Sequence, residues 1–242
     1  MAQAPAAQQR QLLEVAELDT QLARLDTQNS QHPLREELTA LLNAQAERGR
    51  QKEAALARQS EAEKALAEAE KPVAALQEQI ATKDAQLASG EGLDSRGLLT
   101  LQEEIAGLRE MLEEASDTEF EALSAVEELT EKIQSLESDI ATCQDTILAR
   151  KAELEDAVSE IEAEKKQVSA KREELFVGLD DTLRALYNNA RQSGGYTVIA
   201  MKPNGQTDAG VSLSPVEVDQ VRNAPEDEIC ISEDYDCIIV RV

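Results

Sequence analysis

Aromatic side chains are scarce in this sequence: tryptophan is absent, and Phe, Tyr and Trp together make up 2% of 242 residues. A chain of this length could hold one or two globular domains, but so few bulky side chains argue against one large buried core. Histidine is rarer still. His32 stands alone, within Asn29-Ser30-Gln31-His32-Pro33, where turn formers surround it and no catalytic companion does. Cysteine is limited to Cys143, Cys230 and Cys237, with no CxxC pair and no even-numbered disulfide framework, which fits a reducing compartment. No run of about 18 apolar residues occurs, and the opening MAQAPAAQQRQ lacks a basic region followed by an apolar one. The expectation is a cytoplasmic protein with no membrane contact.

Basic residues are also in deficit. Lys and Arg number 24 against 49 Asp and Glu, a formal net charge of −25, so the averaged field repels phosphate backbones and anionic membranes. A protein partner is expected rather than nucleic acid. There is no nucleophile paired with a base, no metal-ligand constellation and no glycine-rich phosphate loop. No enzyme, catalytic residue or cofactor is therefore expected.

Ala, Leu, Glu and Gln dominate residues 8–191, the mixture of long helices packed along narrow seams. Leu12, Val15, Leu18, Leu22 and Leu25 recur at three- and four-residue steps and predict a short helix over about 10–28. From Leu34 a heptad seam runs through Leu38, Leu41, Gln45, Arg48, Lys52, Ala55, Gln59, Ala62, Leu66, Ala69, Val73, Leu76, Ile80, Lys83 and Leu87, predicting a helix over 34–88. Its middle is polar, so the packing there must be looser or must hydrogen-bond across to the other helix, and Pro72 is expected to kink it.

Ser89-Gly90-Glu91-Gly92 is the clearest break, where a hairpin should reverse. The returning helix, expected over 96–191, repeats the period from Leu98 and Leu101 through Ile133, Leu136, Ile140, Cys143 and Ile147. At about 1.5 Å per residue the third helix outruns the second. Its distal stripe, Leu154, Ile161, Val168, Leu175, Leu179, Leu183 and Leu186, is left for helix 1 to cover, and a monomer follows if it does. The third helix carries the negative field, with 24 acidic against 11 basic residues over 96–191.

After Ser193-Gly194-Gly195 the pattern changes to β-branched residues, Tyr196-Thr197-Val198-Ile199 and Ile238-Ile239-Val240. A Pro203-Asn204-Gly205 turn, a helix over Val216–Arg222 capped by Ser214, and a strand near Ile229–Ile231 lie between. The order is β, short helix, β, β. Division into a helical hairpin at 1–191 and a small domain at 192–242 is expected, the latter with a minimal core of Val198, Ile199, Leu213, Val218, Val221, Ile229, Ile231, Ile238 and Val240.

The sequence resembles the bacterial helical-hairpin proteins that end in a C4-type zinc ribbon. Leu18-Asp19, Leu101-Gln102-Glu103-Glu104-Ile105, Ala185-Leu186-Tyr187 and, most specifically, Leu213-Ser214-Pro215-Val216-Glu217 carry the resemblance over nearly the whole chain. It implies a mainly α fold, a long antiparallel coiled-coil hairpin with a small C-terminal α+β zinc-ribbon-like domain. It also implies action through macromolecular partners, with nucleic-acid binding through the ribbon as the alternative to an adaptor or chaperone-like scaffold. The family's four zinc cysteines fall at Gln206, Ala209, Ser232 and Tyr235, none of which can supply a thiolate. The domain is therefore expected to lack metal, with apolar contacts replacing ligation. It also holds only Lys202, Arg222 and Arg241 against nine acidic residues over 192–242.

Overall fold

The structure, a computed structural model, describes residues 2–89 and 94–242. Four helices come first: α1 (Ala6–Ser30), α2 (Pro33–Ser89), α3 (Ser95–Val177) and α4 (Asp181–Gln192). They are followed by β1 (Val198–Met201), α5 (Pro215–Asn223), β2 (Cys230–Ser232) and β3 (Cys237–Arg241). The reversal expected at Gly90-Glu91-Gly92 lies outside the described residues. The architecture is a hairpin of long helices with a small C-terminal sheet. Two compact units make it up: Glu36–Lys151, and the chain up to Arg35 together with Ala152–Val242.

In the first of these, α2 and α3 pair along the seam read from the sequence. Leu38, Ala55, Ala69, Val73, Leu76 and Ile80 of α2 are buried, as are Leu101, Ile105, Ile133, Leu136, Cys143 and Ile147 of α3. Of the two alternatives for the polar middle, bonding across is found: Gln59 Nε2 donates to Thr130 Oγ1 at 2.8 Å, and Lys52 Nζ meets Glu137 Oε1 at 2.7 Å. Ala55 beside these pairs packs with Ile133 and Leu136. α2 continues through Pro72 as one helix. The Cys143 thiol, directed at Leu41 O at 3.6 Å, fills the seam.

The second unit differs from the expected division at 191/192. α1 lays Leu18, Leu22 and Leu25 on Ile161, Val168 and Leu175 of α3, covering the stripe that α2 does not. The same helix places Leu12 and Val15 in a cluster with Phe176, Leu179, Leu183, Tyr187, Ile229, Ile238 and Val240. Strand and helix side chains therefore share one core, and the sheet has no separate interior on that side. Residues ahead of α1 add to it, since Ala4 N donates to Asp227 O at 2.8 Å and Ile229 N to Ala2 O at 3.0 Å.

The continuous helix expected over 96–191 is broken. α3 ends at Val177 and α4 starts at Asp181, with Asp180 as N-cap accepting from Thr182 N at 2.8 Å. Polar groups freed at the break are taken up by α1: Gln8 Oε1 accepts from Asp180 N at 2.9 Å, and Gln11 Nε2 donates to Leu175 O at 3.2 Å. The break turns α4 so that Leu183, Tyr187 and Ala190 are its buried residues, whereas Leu186 is only partly covered.

The sheet has strand order β1-β3-β2, with β1 parallel and β2 antiparallel to β3. Its other face packs Met201, Leu213, Val221 and Ile239, with Val218 and Tyr235 against them. Ile231, expected in this core, projects from β2 and is exposed. Ser214 caps α5 as expected, forming a capping box with Glu217. In the Pro203-Asn204-Gly205 turn, Gly205 has φ +85°, a conformation that side chains rarely adopt, and a Cβ there would press on Val218 Cγ1 at 3.0 Å, so a substitution would be strained. His32 Nδ1 accepts from Leu34 N at 3.3 Å, which places the imidazole in the α1–α2 turn.

Candidate interaction surfaces

The four positions that the resemblance assigns to zinc cysteines are occupied by hydrogen-bonding and turn residues. The Gln206 carbonyl accepts from Lys202 N at 2.8 Å, while its own N donates to Asn204 Oδ1 at 3.0 Å, so it closes the Gly205 turn. Ala209 sits partly exposed in the next turn. Ser232 is fully buried at the end of β2; its Oγ donates to Glu217 Oε1 at 2.7 Å and accepts from Tyr235 N at 3.3 Å. Tyr235 donates its hydroxyl to Ser212 O at 3.3 Å and sets its ring edge-on to Tyr196, 6.2 Å between centroids.

Glu217 links these groups. Its Oε2 accepts from Ser214 N at 3.0 Å, while Oε1 takes the Ser232 proton. The Ser232 hydroxyl is the main reason the Glu217 carboxyl is held below its ordinary range, and the capping bonds of Ser214 add to it. A carboxylate thus ties the N-terminus of α5 to the β2–β3 turn. Burial pushes the neighbouring Cys237 thiol up to about 11, which keeps it protonated and poor as a nucleophile or ligand. Among the described residues no group of three or more His, Cys, Asp or Glu side chains is placed to hold a metal ion.

Two motifs from the sequence, Leu18-Asp19 and Ala185-Leu186-Tyr187, meet in the structure. Tyr187 OH donates to Asp19 Oδ2 at 2.7 Å, and Arg172 contributes Nε to Oδ1 and a terminal nitrogen to Oδ2, both at 3.3 Å. Arg191 approaches Oδ1 at 3.4 Å. Arg172 also lies over the Phe176 ring, 4.1 Å from its centroid, and that ring packs at 5.8 Å against Tyr187. Burial first, then the Asp19 bond, raises the Tyr187 hydroxyl far above its ordinary value. That hydroxyl does not give up its proton near neutrality, so this cluster pins α1 to α3 and α4 rather than performing acid–base chemistry.

A surface that the seam reading passed over stands on α3. Phe120 is 70% exposed and Met111 56%, although both are large and apolar. Leu123, also exposed, is one turn from Phe120 on the same face, and Asp117 and Glu127 flank the pair. The signal was available in the sequence, because Phe120 falls outside the apolar period that runs from Leu101 to Ile133, which takes Ala122 and Val126 on either side of Leu123. No described helix is long and apolar enough to cross a membrane.

Comparison with known proteins follows the same architecture. An uncharacterized protein of Mycobacterium tuberculosis (strain CDC 1551 / Oshkosh) is 27% identical over 245 residues, covering 98% of this chain and 96% of its own length. A solved structure from Mycobacterium smegmatis superposes with a TM-score of 0.77 at 19% identity, over 99% of this chain and 100% of that one. CT398 from Chlamydia trachomatis gives 0.65 at 16% identity, over 98% of each chain. At these identities the two structures speak for the fold alone. Residues 15–195 match the family model described as the CT398-like coiled coil hairpin domain, and the chain belongs to that family.

Proposed function

We propose that this protein is a non-enzymatic adaptor or chaperone-like scaffold that binds a macromolecular partner, a protein above all, and works in the cytoplasm as a monomer. The observation that carries the reading is the exposed Phe120–Leu123 face of α3, apolar knobs within an acidic helix. Exposed aromatics of this size are anchors for partners when they are not covered at home, and flanking carboxylates select against anionic surfaces. The monomer is supported by α1, which covers the distal stripe of α3 within one chain.

In this proposal residues 192–242 are a ribbon-like module that functions without metal. The Ser232–Glu217–Ser214 bonds supply the cross-link between the β2–β3 turn and α5. Nucleic-acid binding through the ribbon is the alternative; the charge of residues 192–242, three basic against nine acidic side chains, opposes it as a general phosphate-binding surface. Affinity capture from lysate with and without nuclease, comparing wild type with F120S/L123S, tests both. Nuclease-resistant partners lost in the double variant support the adaptor; recovery abolished by nuclease and indifferent to the substitutions overturns it.

A further inference from the structure

The sequence scatters its few basic residues, yet three arginines from distant segments line one cleft of about 420 Å³: Arg10 of α1, Arg222 of α5 and Arg241 of β3. Glu226 is the acidic side chain among the lining residues, and Val242, the last residue of the sequence, lines the cleft as well. In a chain with twice as many acidic as basic residues, arginines ordinarily find carboxylates. These three form no ion pair among the described residues, and Arg10 makes no hydrogen bond there either.

The guanidinium groups are unequally committed. Arg241 spends its terminal nitrogens on backbone carbonyls, at 3.1 Å to Val221 O, 2.6 Å to Ala224 O and 2.5 Å to Pro225 O. Those bonds fix its position beneath the C-terminal end of α5 without cancelling its charge. Arg222 uses one nitrogen, on Pro203 O at 2.7 Å, and Arg10 none. The cleft therefore offers one immobilised positive charge and two forks with donors to spare. The chain's net charge does not forbid an anion there, because at physiological salt fields decay over about 8 Å and the nearest charges decide.

We propose that this cleft binds a phosphate group. Two open guanidinium forks and a fixed third charge match an anion with several equivalent oxygens and a charge approaching −2, whereas a carboxylate has oxygens for a single fork. The group comes either from a small phosphorylated compound or from the terminal phosphate of an oligonucleotide. The assignment goes beyond the adaptor reading and does not depend on it, since the Phe120–Leu123 face belongs to the other compact unit.

The test titrates the full-length protein with inorganic phosphate at constant ionic strength, following ³¹P line broadening, with acetate as competitor. Saturable binding is expected, unmoved by acetate and weakened about tenfold by either Arg10→Gln or Arg222→Gln, the loss of one charge-assisted bond. Unchanged circular dichroism in both variants establishes that the fold survives; Arg241 is left intact because it caps α5. A second arm compares a 5′-phosphorylated oligonucleotide with its unphosphorylated twin. Preference for the phosphorylated strand over free phosphate assigns the source to nucleic-acid ends, and exclusion of both strands assigns it to a small compound. Absence of saturable phosphate binding, indifference to both substitutions, or equal binding of the two strands overturns the proposal.

Discussion

The two compact units are held together by different physics. In the hairpin unit, Glu36–Lys151, the best-covered side chains, Ala55, Ile105 and Ile147, retain 4% exposure, and polar pairs such as Gln59–Thr130 sit in the seam itself. Among the described residues, every side chain with less than 2% exposure, from Leu12 and Tyr187 to Ile238 and Ser232, lies in the other unit. A two-helix seam covers each residue from one side only, whereas α1, α3, α4 and the sheet enclose theirs from several. Long helices gain stability by repeating a modest contact many times; the enclosed unit concentrates it in a few side chains.

That contrast predicts unequal responses to like substitutions. Leu12→Ala should cost about 4 kcal/mol, near the upper end for buried leucines, while Ile133→Ala in the seam should cost about 2 kcal/mol because exposed neighbours can close over the gap. Urea denaturation of both variants measures this, and equal losses would erase the distinction. Asp19→Asn comes next, at about 3 kcal/mol, because it leaves Arg172, whose side chain is 12% exposed, with only the exposed Glu173 carboxylate at 3.5 Å as a counter-charge. Removing Glu137 from its half-exposed pair with Lys52 should cost less than about 1 kcal/mol, the ceiling for such bridges.

Ser232→Ala should fall between these, at about 2 kcal/mol, the value of a hydrogen bond to a charged acceptor. It also carries a pH signature. The folded-state carboxyl of Glu217 is lowered relative to the unfolded chain, so its stabilisation is complete above the ordinary carboxylate value and is lost as pH falls through the depressed one. Loss of the Ser232 hydroxyl, the largest cause of that lowering, should flatten the acid limb of a stability–pH curve. An unchanged acid limb would remove Glu217 from the account of the α5–β2 junction. Smallest of all is Gln59→Leu, expected to shift stability by less than about 1 kcal/mol while loosening the helix register, read as broader amide resonances along residues 52–62.

Periodic features were legible in the sequence because they repeat locally. The α2–α3 seam follows from heptads, and the Ser214–Glu217 capping box follows from two residues three apart. Non-repeating features were not legible. The break at Gly178-Leu179-Asp180 hides inside a stripe that reads as continuous, because Leu175, Leu179 and Leu183 keep helical spacing across it. Gly178 directly after Val177 and Asp180 before Thr182 were its local signs. Asp19 and Tyr187 were singled out by resemblance, but they stand 168 positions apart and nothing between them says that a hydroxyl meets a carboxylate. The arginine cleft is the extreme case: charge counting along residues 192–242 cannot include Arg10.

The joining of Ala2 and Ala4 to Asp227 and Ile229 bears on how the chain is made. On the ribosome α1 emerges before the surfaces it needs, on the distal part of α3, on α4 and on the sheet, all of which follow the hairpin unit in the chain. Residues 36–151 hold contacts wholly their own and can zip together while translation continues. Throughout that interval the apolar face of α1, Leu12 to Leu25, is uncovered and exposed to misassembly. The nascent chain thus encloses its best-buried part only after the hairpin unit has been made.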